Sequence, residues 1–272
     1  MMEKVEELGA INKLILPFMK KGVLSNNYIM PGKYQNYIEN GSLYYIITET
    51  ALIFFIDCGN YRRVYYHIKD ITAGIELPKD KPLVMELVYK SGEDSWKRQL
   101  EYWEAKGFKP YIHRLRMNCD SRALRSMEQV LQNVTYAESS QADIIHSMIS
   151  EAFDPYLGCV PSVAEVEHYI GQKEIIIVSD EAGEVMGILH IGNKASTYFI
   201  WHLLVHPDAR NKGVAKRLMA QLGLLLQEMD KAKIQLWVKS DNSSARSLYE
   251  KSGFEYDGWE SAGLILNIDG GF

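Results

Sequence analysis

The sequence predicts a protein of mixed α and β structure with two domains, each built on a mixed, mostly antiparallel sheet flanked by helices. The length of 272 residues allows two ordinary domains. Segments rich in β-branched and aromatic residues alternate with segments whose apolar residues recur at helical spacing. The order of these segments in the first half returns in the second, so we predict domains of residues 1–132 and 133–272, with a boundary near Asn133.

The first half is predicted to open with two helical pieces and to continue into an antiparallel meander. Tyr, Ile, Thr and Phe are dense over residues 42–56, and a turn at residues 57–60 precedes a further strand at residues 62–68. The remaining elements are, in order, a strand at residues 82–89, a helix at 95–105, a strand at 108–115 and a linking helix at 120–131.

The second half is predicted to have the order β-α-α-β-β-β-α-β-α-β. It begins with a short strand at 134–137 and a helix capped by Ser139 or Ser140. The following elements are a helix at residues 162–170, strands at 174–179, 185–191 and 197–205, a long amphipathic helix at 212–229, a buried strand at 234–238, a helix at 243–251 and a final strand from residue 254.

Composition and charge limit the classes of partner and the cellular location that we expect for the protein. A formal charge of -5 gives no reason to expect nucleic acid or an anionic membrane as a partner. Apolar stretches such as residues 51–56 and 222–226 are far shorter than the roughly 20 residues that span a bilayer. The N-terminus mixes charges with a helical apolar period, unlike a signal peptide. We therefore expect a cytoplasmic protein that is not exported.

The cysteines do not indicate a disulfide framework or a metal site. Cys58, Cys119 and Cys159 are odd in number and far apart, which matches neither a disulfide pattern nor a zinc cluster. None of them stands beside a histidine or opens a helix. We expect three reduced cysteines in the core and no metal, with a nucleophilic cysteine as the alternative.

The most informative segment is a predicted strand that runs through a short loop, Arg210-Asn211-Lys212-Gly213-Val214-Ala215, into a helix. The first turn of a helix has unpaired backbone N–H groups, which attract phosphate oxygens together with the helix dipole. Gly213 lets the backbone approach a phosphate, and Arg210 and Lys212 add charged donors. The loop is therefore a candidate phosphate-binding site, although an ordinary capping glycine is the alternative for Gly213 alone.

The spacing of this loop excludes two common nucleotide motifs. It is neither G-x-x-x-x-G-K-[ST] nor G-x-G-x-x-G, so neither nucleotide hydrolysis nor dinucleotide binding is supported. The expected ligand of the loop is therefore a pyrophosphate-containing carrier of another kind.

Two blocks of the sequence resemble the GNAT acetyltransferase superfamily. His206-Pro207-Asp208-Ala209-Arg210 and the loop from Arg210 to Ala215 match the family's approach to, and form of, [RQ]-x-x-G-x-[GA]. Residues 242–254 resemble its N-x-x-A-x-x-L-Y-x-K-x-G-F element. The resemblance covers most of residues 135–268. It implies a GNAT fold whose two central strands splay apart, and acetyl-coenzyme A as the co-substrate.

The resemblance also implies the cofactor-binding residues. The pantetheine arm would pair with the backbone of the strand before the loop, the pyrophosphate would bind the loop, and the thioester end would lie near residues 242–249. The residues concerned are Leu203, Leu204, Val205, Arg210, Asn211, Lys212, Gly213, Val214, Ala215, Lys216, Asn242, Ala245 and Tyr249.

Acetyl transfer to an amine needs a neutral nucleophile and a proton for the leaving thiolate. Tyr249 is the candidate acid, since a phenol with a reference pKa of about 10 can donate to a nearby thiolate. Its alternative role is packing of the helix on the sheet. His202 lies where several family members carry a glutamate base, and a histidine could do that work near neutral pH. A packed strand histidine is the alternative, and His190 is a weaker candidate.

The first half looks like a worn repeat of the second. Residues 103–108 echo residues 249–254, since each Gly-Phe pair follows a helix and opens a strand. The loop equivalent at residues 69–77 lacks the glycine spacing, and Trp103 stands in place of the tyrosine. We infer a degenerate GNAT-like domain that has lost acetyl-coenzyme A binding and shapes the acceptor pocket or the surface of a homodimer. An unrelated α+β domain is the alternative.

The function expected from these features is N-acetylation of an amine on a small molecule, an amino acid or a peptide. An acetyl-coenzyme A sensor without turnover is one alternative. A second is an acyltransferase with another donor, because tandem GNAT-like folds also occur in aminoacyl-tRNA-dependent peptidyltransferases and long-chain acyltransferases. No motif specifies the acceptor.

Overall fold

The computed structural model describes residues 2–29, 31–72, 74–125, 133–226 and 232–267. Its contacts divide the chain into two compact units: unit 1 comprises Met1–His113 and Glu260–Phe272, and unit 2 comprises Arg114–Trp259. The division into domains at residues 1–132 and 133–272 stays a prediction. No described helix is long and apolar enough to cross a membrane.

Unit 1 contains an antiparallel meander followed by a parallel pairing. In the order β1-β3-β4-β5-β6 its strands are antiparallel except for β5 and β6, and β2 pairs with β5. Its elements are β1 (Glu3–Lys4), α1 (Leu8–Ile15), a short 3-10 helix (Leu16–Phe18), β2 (Leu24–Ser25), α2 (Pro31–Glu39), β3 (Leu43–Ile47), β4 (Ala51–Asp57), β5 (Arg62–Ile68), β6 (Leu83–Lys90), α3 (Ser95–Ala105) and the first part of β7 (Lys109–Asp120).

The sheet of unit 1 is covered on both faces. Side chains of α3 and alternate residues of β4, β5 and β6 form one core, in which Trp103 is fully buried against Tyr66 and Phe108. Side chains of α1, α2 and the other residues of β4 form a second core. Burial on both faces explains why β4 reads as an uninterrupted apolar run.

Unit 2 has the predicted order of strands and helices. Its strands lie in the order β8-β9-β10-β11-β12-β7. Its elements are the later part of β7, α4 (Ser121–Arg125), β8 (Val134–Tyr136), a 3-10 helix (Ser139–Gln141), α5 (Ala142–Ala152), α6 (Val163–Gly171), β9 (Ile175–Ser179), β10 (Val185–Lys194), β11 (Thr197–Val205), a 3-10 helix (Pro207–Ala209), α7 (Val214–Leu225), β12 (Lys233–Lys239), α8 (Ser243–Lys251) and β13 (Glu255–Leu266), whose last residues belong to unit 1.

Several boundaries differ from the sequence-based expectation for physical reasons. The strand expected at residues 108–115 extends to Asp120, because Met117 and Cys119 alternate into the core while their strand pairs with β12. The helix expected at 120–131 is described only as α4, and residues 126–132 lie outside the described part. The helix expected from Lys212 begins at Val214, since Gly213 has a left-handed backbone. Its predicted end at residues 227–229 also lies outside the described part.

The sheet of unit 2 separates two cores. On one face, which we call the α7 face, Val214, Leu218 and Leu222 of α7 pack against alternate residues of β7, β10 and β12. On the other, the α5–α6 face, Ile149 of α5 and Val166 of α6 pack against β9 and β10. The two-residue period of the strands makes these faces alternate along the chain.

The two central strands of unit 2 splay apart, as predicted. Strands β11 and β12 are parallel and pair from Thr197↔Lys233 to Ile200↔Leu236. Among the described strands, the rest of β11 pairs with β10 alone, where a bulge leaves Trp201 as the extra residue. One backbone edge of Leu203–Val205 is therefore not part of the sheet pairing.

Candidate active site

The loop after β11 is fixed at its start by backbone contacts. The N–H of His206 donates to the carbonyl of Met186 on β10 at 2.9 Å, and the side chain of His206 accepts from the N–H of Asp208 at 3.3 Å. The N–H of Arg210 then donates to the carbonyl of Pro207 at 3.2 Å. These bonds turn the chain from the strand toward the helix.

Two left-handed residues then form the entry to α7. Asn211 has φ 62° and Gly213 has φ 78°. Gly213 is the N-cap residue, so no side chain caps the helix, and the first intrahelical bond runs from the N–H of Arg217 to the carbonyl of Gly213 at 3.1 Å. The N–H groups of Val214, Ala215 and Lys216 therefore have no partner within the helix. This arrangement fits a phosphate group.

The surroundings of this loop are cationic. Arg210, Lys212 and Lys216 are exposed, and within the described part of the chain no carboxylate pairs with them. A Cβ atom added to Gly213 would have no neighbour within 4 Å. The loop thus combines backbone donors, positive charge and an unobstructed approach, which is the donor set that a pyrophosphate needs.

One residue that positions the loop was missed in the sequence. A Cβ atom on Gly187 would lie 2.4 Å from Cγ1 of Val214, so only glycine lets the first turn of α7 approach β10 this closely. Gly187 stands opposite Val205 in the strand pairing. A glycine inside a predicted strand was the available signal.

Asn242 and Tyr249 are brought to the same helix, α8. The side chain of Asn242 caps α8 by accepting from the N–H of Ala245 at 3.0 Å. Tyr249 is 7% exposed, packs on the α7 face and lies against Phe254, with ring centroids 5.6 Å apart. Burial raises the pKa of the Tyr249 phenol, which therefore stays protonated over the physiological range.

His202 and His190 form a buried pair on the α5–α6 face. Their Nδ1 atoms are 3.0 Å apart, and Nε2 of His202 lies 2.9 Å from the carbonyl oxygen of Gly158. Because a carbonyl only accepts, His202 carries its proton on Nε2, and its Nδ1 must accept from Nδ1–H of His190. Nε2 of His190 is then an acceptor, and this buried atom has no hydrogen-bond partner in the described structure.

Both histidines are held neutral. Burial, with a smaller contribution from His202, lowers the pKa of His190 to about 3. Burial also lowers the pKa of His202, despite the opposing effect of the Gly158 carbonyl. Since both nitrogens of His202 already have partners, His202 can receive a proton directly only if one of these hydrogen bonds breaks, or indirectly through the Nδ1–Nδ1 hydrogen bond from His190. Its catalytic role stays a prediction.

His202 contacts the loop between α5 and α6, which the sequence did not single out. Phe153 packs edge-on against His202 with ring centroids 4.6 Å apart. The side chain of Asp154 accepts from the N–H groups of Tyr156 and Leu157, and a Cβ on Gly158 would lie 2.3 Å from the carbonyl oxygen of Asp154. The spacing of Asp154 and Gly158 was the available signal for this tight loop.

Comparison with solved structures identifies the fold. A GCN5-related N-acetyltransferase from Sphaerobacter thermophilus is 12% identical with a TM-score of 0.64, over 100% of this chain and 96% of that chain. A tandem GNAT protein from the clavulanic acid biosynthesis pathway is 10% identical with a TM-score of 0.62, over 100% and 99% of the two chains. At these identities the likeness concerns the fold, and the predicted tandem GNAT-like architecture is confirmed.

Sequence comparison finds a family match in the C-terminal part of the chain. Residues 172–256 carry a match to the family described as acetyltransferase (GNAT) domain, which confirms the predicted resemblance for that segment. An acetyltransferase from Sodalis glossinidius is 35% identical over 82 residues, which are 30% of this chain and 58% of the relative. The chain thus spans little more than half of that curated relative.

Proposed function

We propose that unit 2 is an acetyl-coenzyme A-dependent N-acetyltransferase acting on an amine of a small molecule, an amino acid or a peptide. The observation that carries the proposal is the uncapped N-terminus of α7 beside the unpaired edge of β11. The first offers phosphate donors, and the second offers backbone groups for an arm that contains amides. Both lie in the segment that matches the GNAT domain family.

In this proposal the loop and the strand bind different parts of acetyl-coenzyme A. The N–H groups of α7 hold the pyrophosphate, with Arg210 and Lys212 adding charge. The backbone of Leu203–Val205 pairs with the pantetheine arm. The remaining proposed contacts are those of Asn211, Gly213, Val214, Ala215, Lys216, Asn242 and Ala245.

Bound acetyl-coenzyme A supplies an acetyl thioester, and a neutral amine is the nucleophile. Tyr249 is the proposed acid, because its buried phenol stays protonated and can donate to the sulfur that leaves. The same burial makes the phenolate costly, so proton transfer requires a thiolate close to the hydroxyl.

His202 is the proposed candidate base, with a restriction that the geometry imposes. A proton could be received at the unpartnered Nε2 of His190 and passed through the Nδ1–Nδ1 hydrogen bond to His202. The low pKa of His190 makes this unfavourable near neutral pH. An amine that arrives neutral needs no base, and this is the alternative.

Two other functions remain as alternatives. A sensor would bind acetyl-coenzyme A without turnover, and a transferase of other acyl or aminoacyl groups would use another donor. We further propose a cytoplasmic protein without nucleic-acid or membrane partners, in which unit 1 shapes the acceptor pocket or a homodimer surface. The net charge of -5 supports the proposed absence of nucleic-acid and anionic-membrane partners.

Calorimetric titration with acetyl-coenzyme A tests the proposal. Gly213→Trp fills the loop, whereas Gly183→Trp is a matched control, since both glycines are exposed, left-handed and have no atom within 4 Å of an added Cβ. We expect micromolar binding by the wild type and the control, and about 100-fold weaker binding by Gly213→Trp, about 2.7 kcal/mol. A folded wild-type protein that does not bind would refute the proposal.

A further inference from the structure

A cationic and aromatic cluster lies in unit 2 outside the loop already described. It consists of Arg116 on β7, Trp237 on β12, and Asp257 and Trp259 on β13, and we call it the Arg116 cluster. The guanidinium carbon of Arg116 lies 5.0 Å from the ring centroid of Trp259 and 5.9 Å from that of Trp237. Its Nε and Nη2 each lie 2.9 Å from Oδ2 of Asp257.

These contacts hold the guanidinium in one orientation. The two indole rings attract the cation, and the carboxylate of Asp257 fixes one edge of it. Asp257 is itself held, because its Oδ1 accepts from the N–H of Trp259 at 3.2 Å. A positioned guanidinium loses little freedom when it binds an anion, so this arrangement suits recognition.

One edge of the guanidinium remains available. Arginine has five N–H donors, and Asp257 engages one on Nε and one on Nη2. The outer edge, formed by Nη1 and the second hydrogen of Nη2, has no protein acceptor among the described residues. The Arg116 side chain keeps 21% of its surface exposed. Two parallel N–H groups on that edge match the two oxygens of a carboxylate.

The position of the cluster relates it to the splayed strands. Trp237 directly follows Leu236, the last residue of β12 that pairs with β11, and Arg116 is the partner of Trp237 on the other side. Both side chains alternate with residues that pack on the α7 face, such as Leu236 and Met117. They therefore belong to the α5–α6 face.

This face is where an acceptor would meet the acetyl group. The phosphate donors of α7 lie on the α7 face, so a ligand that reached from them through the gap between β11 and β12 would arrive at the opposite face. Lys239, which lies two residues after Trp237 on β12, adds a cation to that face. Arg114, its partner in the strand register, is engaged by the carbonyl of Leu157, to which its Nη1 donates at 3.1 Å. Asp257 is the one carboxylate of the cluster, so the local charge favours an anion.

We propose that the Arg116 cluster binds a carboxylate of the acceptor, so that the substrate is an amine that also carries a carboxylate group, such as an amino acid. The proposal rests on the proposed acetyltransferase function and selects within its amine acceptors. A singly charged carboxylate suits the site better than a phosphate dianion, because Asp257 already lies beside the guanidinium.

Binding of matched product analogues tests this proposal without turnover. The probes are the N-acetyl derivatives of glycine, glutamate and phenylalanine. Each is compared by calorimetry, with and without coenzyme A, with the neutral compound in which every carboxylate is replaced by a carboxamide. We expect at least one carboxylate to bind tenfold or more tightly than its amide. Arg116→Gln should abolish this difference, and Arg116→Lys should retain part of it, because the charge remains but the planar fork is lost.

The controls separate loss of recognition from loss of folding. Arg116→Gln leaves Asp257 without its partner, so the double variant Arg116→Gln/Asp257→Asn removes both charges. Arg122→Gln/Asp120→Asn is the matched pair, since Arg122 and Asp120 form an exposed ion pair at 2.8 Å on another part of unit 2. Only the first double variant should lose the preference for carboxylates.

The outcomes distinguish this proposal from the proposed function. Binding of acetyl-coenzyme A without any carboxylate preference, or a preference that survives in Arg116→Gln, would overturn the carboxylate site and leave the acetyltransferase proposal intact. A carboxylate preference that depends on Arg116 in a protein that does not bind acetyl-coenzyme A would support the site and refute the acetyltransferase.

Discussion

Each unit has a pair of parallel strands that hydrogen-bond at one end and then diverge. The two units differ in what occupies the backbone edge that this divergence leaves. In unit 1, β5 and β6 pair only at Arg62↔Leu83 and Arg63↔Val84 before they diverge. In unit 2, β11 and β12 pair over four residues and then diverge. The difference lies in what meets the freed edge of the first strand.

In unit 1 the chain's own N-terminal segment occupies this edge. Strand β2 pairs with β5, as Leu24↔Ile68 and Ser25↔His67. The side-chain amide of Asn26 donates to the carbonyls of Val64 at 3.1 Å and Glu86 at 3.2 Å and accepts from the N–H of Tyr66 at 2.8 Å. Asn26 thus links β5 to β6 where they separate.

The comparison shows how one architecture can keep or lose a ligand site. A backbone edge binds an extended ligand only while its N–H and C=O groups lack other partners. The edge of β11 meets this condition and the edge of β5 does not. This agrees with the predicted loss of acetyl-coenzyme A binding by the first domain, which stays a prediction.

The largest expected effect concerns the tyrosine that only unit 2 has at this position. Tyr249→Phe removes the proposed acid while it keeps the ring that packs in the core. We expect kcat to fall by about 100-fold to 10,000-fold, the range for loss of a general acid, with little change in acetyl-coenzyme A affinity. Trp103→Phe in unit 1 is the control and should reduce stability without a comparable loss in kcat. Equal losses of kcat would argue against the acid role.

The next effect tests the link between β5 and β6. Asn26 is 6% exposed, so Asn26→Ala leaves two carbonyls and one N–H without their partner. We expect the free energy of unfolding to fall by about 2–4 kcal/mol, measured by urea denaturation. Acetyl-coenzyme A stoichiometry should stay at one site per chain. A second site in this variant would show that Asn26 alone blocks binding in unit 1.

How much of this comparison the sequence could predict depends on the range of the interactions involved. The loop at Arg210–Ala215 is local, since strand, glycine and helix follow one another, so the sequence predicts it. Phosphate binding by this loop stays a prediction. The contacts of Asn26 with Val64 and Glu86 join residues that are 38 and 60 positions apart in the chain. The sequence around Asn26 contains no motif that predicts these contacts. The hydrogen bond from His202 to Gly158 could not be predicted either, because these residues are 44 positions apart in the chain.

The ends of the elements show a similar limit. The helix expected at Lys212 begins two residues later, because Asn211 and Gly213 adopt left-handed backbones that helical propensity does not reveal. The strand expected to end at Leu115 continues because its later residues pair with β12, more than 100 positions away. The sequence shows the alternation of Leu115, Met117 and Cys119, but it does not show that β12 is the strand with which these residues pair.

A smaller effect distinguishes the buried histidines of unit 2 by their response to pH. Burial lowers the pKa of His190 to about 3 and also lowers the pKa of His202, whereas an unfolded histidine titrates near 6.5. The unfolded state therefore binds more protons below pH about 6.5, and the stability contributed by the neutral pair is lost as the pH falls toward the folded pKa values.

We expect the free energy of unfolding of unit 2 to fall by up to about 1.4 kcal/mol per pH unit through His190 between pH about 6 and 4, with a further fall in the same direction through His202. The slope should decrease in His190→Gln/His202→Gln and persist in the control His206→Gln, which replaces a half-buried histidine outside the pair. Denaturation curves at several pH values measure it. An unchanged slope in the double variant would place the effect on other groups.

The smallest effect contrasts Asn242 in unit 2 with Asn26 in unit 1. Asn242 is exposed, and its Oδ1 accepts from the N–H of Ala245 at 3.0 Å. Asn242→Ala should cost about 1 kcal/mol, the value of a helix N-cap, while Asn242→Asp should cost little, because aspartate caps equally well. If the residue also contacts the thioester end of acetyl-coenzyme A, Asn242→Asp would weaken that ligand at unchanged stability. Unchanged affinity in both variants would limit Asn242 to capping.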